Sequence, residues 1–383
     1  MDTGGDAYAP TIGIEEEMFL IDAETLDCVP EMPERFERDA RQQLGSRFER
    51  EMISSMVELV TSSHSSISTL REETEEIRHK IGRLAARHGL AMMACGTHPF
   101  ADWSMQTITE SERYRGVAET VQLPSKRAHA CGLHIHVAVD DSVRIPVMNR
   151  MRQAMPLFLA LSTSSPFWQG RPSGLKSYRT AVNNEFPRSG IPPPFRNDLD
   201  YCATVTALKD AGIVPDESYI WWAIRPSANY PTVEIRVCDS CTRVDDAMAI
   251  AALYRVLVHH YARQSPNEPP FAAAEEVLIE ENRWQASRHG IDARFLDPAT
   301  HGAMDVTQYL RKLVGQAAHS IDALDAAGCV ADVTRIIATG TSADRQLTVY
   351  TGQISCGASP ETALHEVARH IARETMAHSL SLA

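Results

Sequence analysis

The run Gly13-Ile14-Glu15-Glu16-Glu17-Met18 carries the sharpest chemistry in the 383-residue chain. Read as a strand it alternates, so Glu15 and Glu17 point to one face about 7 Å apart while Ile14 and Met18 point to the other. Glu16 is then a misfit on the apolar side. Two carboxylates on one face repel unless a cation or arginine lies between them, and a hard divalent ion such as Mg2+ suits oxygen donors. An isolated E-x-E is more often a solvated face. Here Gly13 and Phe19 share that face and favour a partly covered cleft.

Glu58 stands in the apolar run Met-Val-Glu-Leu-Val, where a lone carboxylate is costly. Glu51 precedes it by seven residues. That spacing aligns the two in a helix, whereas strands would need a bulge or turn at Ser54-Ser55; the bland alternative is a pair of exposed glutamates. In Cys131-Gly-Leu-His134-Ile-His136-Val the two imidazoles share the face opposite Leu133, Ile135 and Val137, a spacing used by metal sites and by plain surfaces. Thr232-Val-Glu234-Ile-Arg236 sets Glu234 beside Arg236. A surface ion pair would explain that, but arginine also suits a transferring phosphoryl group. Together the four segments offer five carboxylates, a histidine and an arginine. Phosphoryl transfer from a metal-bound triphosphate needs such a set.

A competing chemistry is zinc or thiol redox at Cys238-Asp-Ser-Cys241, with Cys131 and His134 as further ligands. A zinc site usually shows a second pair with matching spacing, which is absent. The phosphate-cradling fingerprints G-x-x-x-x-G-K-[ST] and G-x-G-x-x-G are also absent, so bound ATP would depend on bridging metal.

These residues need elements to hold them. Alternation predicts strands over Thr11–Asp22, Leu90–Gly96, Cys131–Val139, Tyr219–Arg225 and Thr232–Cys238, the last two turning at Pro226–Pro231. Helical periodicity covers Ser66–His88, with Thr69 and Glu72 as a capping box and Gly89 as the stop. Met148–Leu161 reads as one apolar core helix. Phe186–Phe195, with Pro187, Gly190 and three consecutive prolines, reads as an ordered loop or lid. Helices are expected over 245–263, 275–289, 305–326, 330–339 and 360–378. Strands early and helices late favour α+β, a mostly antiparallel sheet with helices on one face.

Composition narrows the class. Apolar residues make up 44% of the chain, and 50 acidic against 37 basic residues give a net charge of −13. Nucleic acid and anionic membranes are therefore poor partners. No stretch approaches the roughly 18 apolar residues of a membrane span, and the polar start reads as no signal peptide. Eight scattered cysteines suggest reduced thiols in the cytoplasm.

Read in order, GIEEEM (13–18), MVELVT (56–61), GTHPF (96–100), SERYRG (111–116), GLHIHV (132–137), FLALSTSSPFWQG (158–170), FP-x-x-G-x-P (186–192), IRPSANYPTVEIRVCD (224–239) and ENRWQASRHG (281–290) resemble the type 2 glutamate–cysteine ligases. The likeness is to their YbdK-type carboxylate–amine ligases, whose catalytic domain is similar to that of glutamine synthetase. It spans essentially the whole chain. It implies one catalytic domain over 1–383, strand-rich over 11–240 and helical over 245–383. A curved, mostly antiparallel six-stranded sheet would carry helices on its convex face.

By the same resemblance Glu15, Glu17, Glu51, Glu58, His134 and Glu234 bind two or three Mg2+ ions, and His134, Glu234 and Arg236 hold ATP. Arg236 stabilises the γ-phosphate in flight, with Arg225 and Arg179 contacting substrate carboxylate or phosphates. The implied activity is ATP-dependent amide formation through an acyl phosphate, nominally weak glutamate–cysteine ligation to γ-glutamylcysteine. Small-molecule substrates are the expected partners, with a homodimer allowed. Two places depart from the pattern and bear on substrate choice: Ala223 replaces an expected acidic residue, and Asn183-Asn184-Glu185 is unusual. The alternatives are the zinc or thiol redox protein and a catalytically weak nucleotide-binding regulator.

Overall fold

In a computed structural model, which describes residues 9–265 and 273–377, the strand Ile12–Asp22 (β1) is the hub of an antiparallel sheet. The other strands are Phe48–Arg50 (β2), Met56–Val60 (β3), Leu90–Met93 (β4) and Gly132–Ala138 (β5). After a small separate hairpin, Phe167–Trp168 (β6) and Arg171–Pro172 (β7), come Ile224–Pro226 (β8) and Thr232–Asp239 (β9). The order is β2-β3-β1-β5-β9-β8. A seventh strand joins the expected six: β4 pairs with Phe19–Asp22, on the side of β1 that β5 occupies over Ile12–Glu16. The Tyr219–Arg225 strand shrinks to β8, because Glu217–Tyr219 closes a 3-10 turn capped by Asp216.

Alternation decides the layers. Ile12, Ile14, Leu133, Ile135, Val137, Val233 and Ile235 are buried in one cluster with the helices Arg144–Met151, Met155–Ser162 and Val244–Ala262. Each such side chain contributes about 1.5–3 kcal/mol by leaving water. The single apolar helix expected over Met148–Leu161 is instead two helices joined by a 3-10 turn, Arg152–Ala154. Pro156 has no N–H to continue the first helix and sits in the first turn of the second.

Glu16 on the apolar side is explained by Arg78. That guanidinium reaches both carboxylate oxygens, at 3.0 and 2.6 Å, and donates onward to the carbonyls of Cys241 and Thr242 at 2.7 and 2.8 Å. Arg78 comes from the helix Ile67–Arg87, whose N-cap is Ser66 rather than the expected Thr69; the Ser66 side chain accepts from Thr69 N.

The later helices are Val244–Ala262, Ala273–His289, Val306–Gln316, Ala318–Ala323, Ala327–Thr339, Ser342–Ser355 and Pro360–Thr375. The expected 305–326 helix breaks at Ala317, Ser342–Ser355 was not expected, and position 378 of the expected 360–378 helix lies outside the described residues.

Candidate active site

Strand register assembles the cleft. On β1, Glu15 faces His134 of β5, and Glu17 faces Glu58 of β3. His136 in turn faces Glu234 of β9, which faces Arg225 of β8. Gly13 faces His136, and a Cβ there would press on Ser62 O at 3.2 Å, so the backbone approach favours glycine. Glu51 enters by the turn between β2 and β3, the reversal at Ser54-Ser55 that a strand reading required. Its carboxylate accepts from Met52 N at 2.9 Å.

All the sequence-derived candidates line one cleft of roughly 330 Å³: Glu15, Glu17, Glu51, Glu58, His134, Arg179, Arg225, Glu234 and Arg236. Three groups have ligand atoms within 4.8 Å of one another: Glu15, His136 and Glu234; Glu15, Glu58 and His134; Glu17, Glu51 and Glu58. His134 Nδ1 lies 3.1 Å from Glu15 Oε2, and His136 Nε2 lies 3.2 Å from Glu15 Oε1. Glu17 also accepts from the backbone N–H of Gly132.

Charge is divided unevenly along the cleft. Burial works against the Glu15 carboxylate, but its bonds to His134 and His136 outweigh this and hold it well below the usual range. Burial also opposes ionisation of Glu234, yet Arg236 and Arg225 keep it ionised. Arg236 Nη1 pairs with Glu234 Oε1, and Arg225 Nε donates to Oε2 at 2.9 Å. Burial, then Arg236, lowers His134; His136 is raised because Glu15 and Glu234 outweigh its burial.

At Glu51 and Glu58 burial and like charge win, and the pull of Arg236 and Arg113 on Glu51 does not offset them. Burial, then Glu17, pushes Glu51 up to about 7. Burial, then Glu15 and Glu51, pushes Glu58 well above the carboxylate range. A buried acidic group of this kind takes up protons or shares a hard cation, and the oxygen donor set fits Mg2+.

Arg179 reaches the cleft from the helix Arg179–Asn183 and is 4% exposed. It donates to the carbonyls of Arg236 and Val237 at 3.2 and 3.5 Å, over Gly132, where a Cβ would lie 2.2 Å from Nη2.

The cysteine alternative dissolves on burial. Cys131 packs in the cluster of Phe19 and Cys95, while Cys238 and Cys241 lie in the cluster on the helix side of the sheet. Burial pushes the Cys238 thiol up to about 12 and holds Cys131 and Cys241 well above their ordinary value. Among the described residues no potential metal-ligand group contains a cysteine.

Arg113, Tyr114, Trp221 and Tyr230 carried no expected role yet line the same cleft, as does His136, which the H-x-H pair offered as a metal ligand but the implied ligand set left out. The H-x-H alternation put His136 on the right face. Arg113 and Tyr114 sit in the SERYRG run. Ala223 lines the cleft, with its N–H donating to Gly190 O at 2.7 Å.

A family model described as "Glutamate-cysteine ligase family 2" matches residues 11–370. A protein of Bradyrhizobium diazoefficiens named "Putative glutamate--cysteine ligase 2" is 40% identical over 347 residues, covering 90% of this chain and 81% of that one. A protein of the same name from Ectopseudomonas mendocina is 37% identical over 370 residues, covering 96% and 97%. Among solved structures, a glutamate–cysteine ligase of Francisella tularensis in complex with AMP superposes with a TM-score of 0.69 at 13% identity, covering 98% of this chain and 91% of that one. A bifunctional glutathione synthetase of Pasteurella multocida gives 0.69 at 12% identity, covering 96% and 53%. At such identities the structural likeness speaks for the fold.

Proposed function

The chain belongs to glutamate-cysteine ligase family 2, a family of ATP-dependent ligases, and from that premise we propose that the cleft joins a carboxylic acid to an amine through an acyl phosphate. The observation that carries this reading is the run of three overlapping acidic and imidazole groups ending at two arginines.

Two anions must meet in the first step. The substrate carboxylate attacks the γ-phosphorus, the bond to the ADP oxygen breaks, and ADP leaves. Arg236, with Arg225 braced against Ile220 O at 2.6 Å, is the cation for charge developing on the transferring phosphoryl group. Arg179 is a further contact for phosphate or carboxylate. In the second step the amine nitrogen attacks the acyl carbon, phosphate leaves, and the nitrogen gives up a proton. Glu15, Glu17, Glu51, Glu58, His134 and Glu234 are the groups to hold Mg2+, with His136 added by its contact to Glu15. The ion would supply charge neutralisation for the triphosphate. Positioning of both substrates supplies the rest of the rate. Glutamate and cysteine are the first pair to try.

Phosphate release from ATP with Mg2+, measured over acid–amine pairs, tests the reading. We expect release that depends on both partners, and a loss of about 100-fold or more in Glu15→Gln and Glu234→Gln with circular dichroism unchanged. Near wild-type rates in either variant would contradict the assignment.

A further inference from the structure

The two ends of the cleft differ in chemistry. One end is polar and cationic, with Arg225, Arg236, Ser227 and Asn229. The other is an apolar wall. Met52, Val117, Phe186 and Trp221 line it, and they pack with Tyr219 in one hydrophobic cluster. Phe186 meets the Trp221 ring edge-on, with centroids 5.3 Å apart at 82°. The Arg188 guanidinium lies 5.5 Å over the same indole, and Arg188 O accepts from Trp221 N at 3.0 Å. The proline-rich segment is thereby held along the sheet edge and brings Phe186 onto the wall.

This wall touches the acidic centre directly, since Met52 N donates to the Glu51 carboxylate. Arg113 also lines this end, its guanidinium 5.9 Å from the Tyr114 ring. A triphosphate is matched by the arginines of the polar end, which leaves the apolar end to a co-substrate. A small polar side group placed there would lose water without gaining a partner. A branched aliphatic, thioether or benzyl group would lose only unfavourable hydration.

Building on the ligase reading, we propose that the acceptor is an apolar α-amino acid. Its amine faces the acyl group, its carboxylate faces Arg113, and its side chain packs on Trp221, Phe186, Met52 and Val117. The product is an amide with that amino acid's nitrogen, and the proton leaves with phosphate.

Two acceptor arms test this with one acid, chosen as the one giving most hydroxamate with hydroxylamine, ATP and Mg2+. Hydroxylamine is small and does not need the wall, so this arm reads acid activation alone. In the other arm leucine, methionine and phenylalanine are compared with glycine, serine and cysteine. We expect kcat/KM about tenfold or more higher for the apolar set. Trp221→Ala and Phe186→Ala should erase that preference through the amino-acid KM, with the ATP KM in the hydroxylamine arm unmoved. Hydroxamate formation without an apolar preference overturns this inference and leaves the ligase reading standing. An equal loss for all acceptors in the variants also overturns it. No hydroxamate and no phosphate release with any pair overturns both.

Discussion

Glu51 is a carboxylate whose fold works against its charge. Burial and the neighbouring Glu17 raise it to about 7 from an ordinary value of 4.5. The folded protein therefore binds its proton more tightly than the unfolded chain does. Stability falls as pH rises between those two values and levels off above the higher one, by a few kcal/mol at most. In metal-free protein the melting temperature should drop between about pH 5 and pH 8, with a shallower drop in Glu51→Gln. Equal slopes for the two proteins would contradict the account. Adding Mg2+ should flatten the wild-type curve, because a shared cation replaces the proton. The alternation of Glu15 and Glu17 made this end of the cleft legible in sequence. What alternation could not supply was Glu51's approach, which depends on the tight reversal before β3, or the part played by His136, which rests on its contact with Glu15.

At the scale of elements, β1 is fixed from both faces. On the helix side the buried Glu16–Arg78 pair locks it to the helix Ile67–Arg87. Removing one partner strands a buried charge, so Glu16→Leu should cost about 3–5 kcal/mol in denaturant unfolding. A change under 1 kcal/mol would show the pair to be incidental. On the opposite face Phe19 packs edge-on against His98 and His129. Burial lowers these imidazoles to about 4 and about 3. His98 is also committed as a neutral ring, giving its Nε2 proton to Leu26 O and accepting from Ala101 N at Nδ1. The unfolded chain takes up these protons first as pH falls below 6.5. Stability should then decline toward pH 4 by roughly 3 kcal/mol per histidine, and His98→Gln should blunt that decline. An acid profile unchanged in the variant would contradict this. Sequence marked Glu16 as a misfit, but its partner stands 62 residues away in the chain, beyond the reach of local pattern.

The sheet carries the acidic cleft on one face, beside a core cluster around Phe19, Ile21 and Met93, and its largest core on the other. β1, β5 and β9 were legible because each alternates along most of its length, with Glu16 the exception on β1. The Ser342–Ser355 helix was not, because it fully buries only Ser342, Ala343 and Gln346, small or polar residues that do not mark a core face in the sequence. The single apolar helix was misread for the opposite reason: Met155–Ser162 is buried on every side, so apolar pattern does not separate it from Arg144–Met151, and Pro156 is the one residue that marks its start. The acidic face matters most to function, and its central claim is that a substrate carboxylate takes a phosphoryl group there. The direct measurement uses acid labelled with 18O in the reacting carboxylate, together with ATP, Mg2+ and the best acceptor. Transfer through an acyl phosphate predicts one labelled oxygen in the released phosphate for each amide formed. Amide formed with unlabelled phosphate would contradict the account.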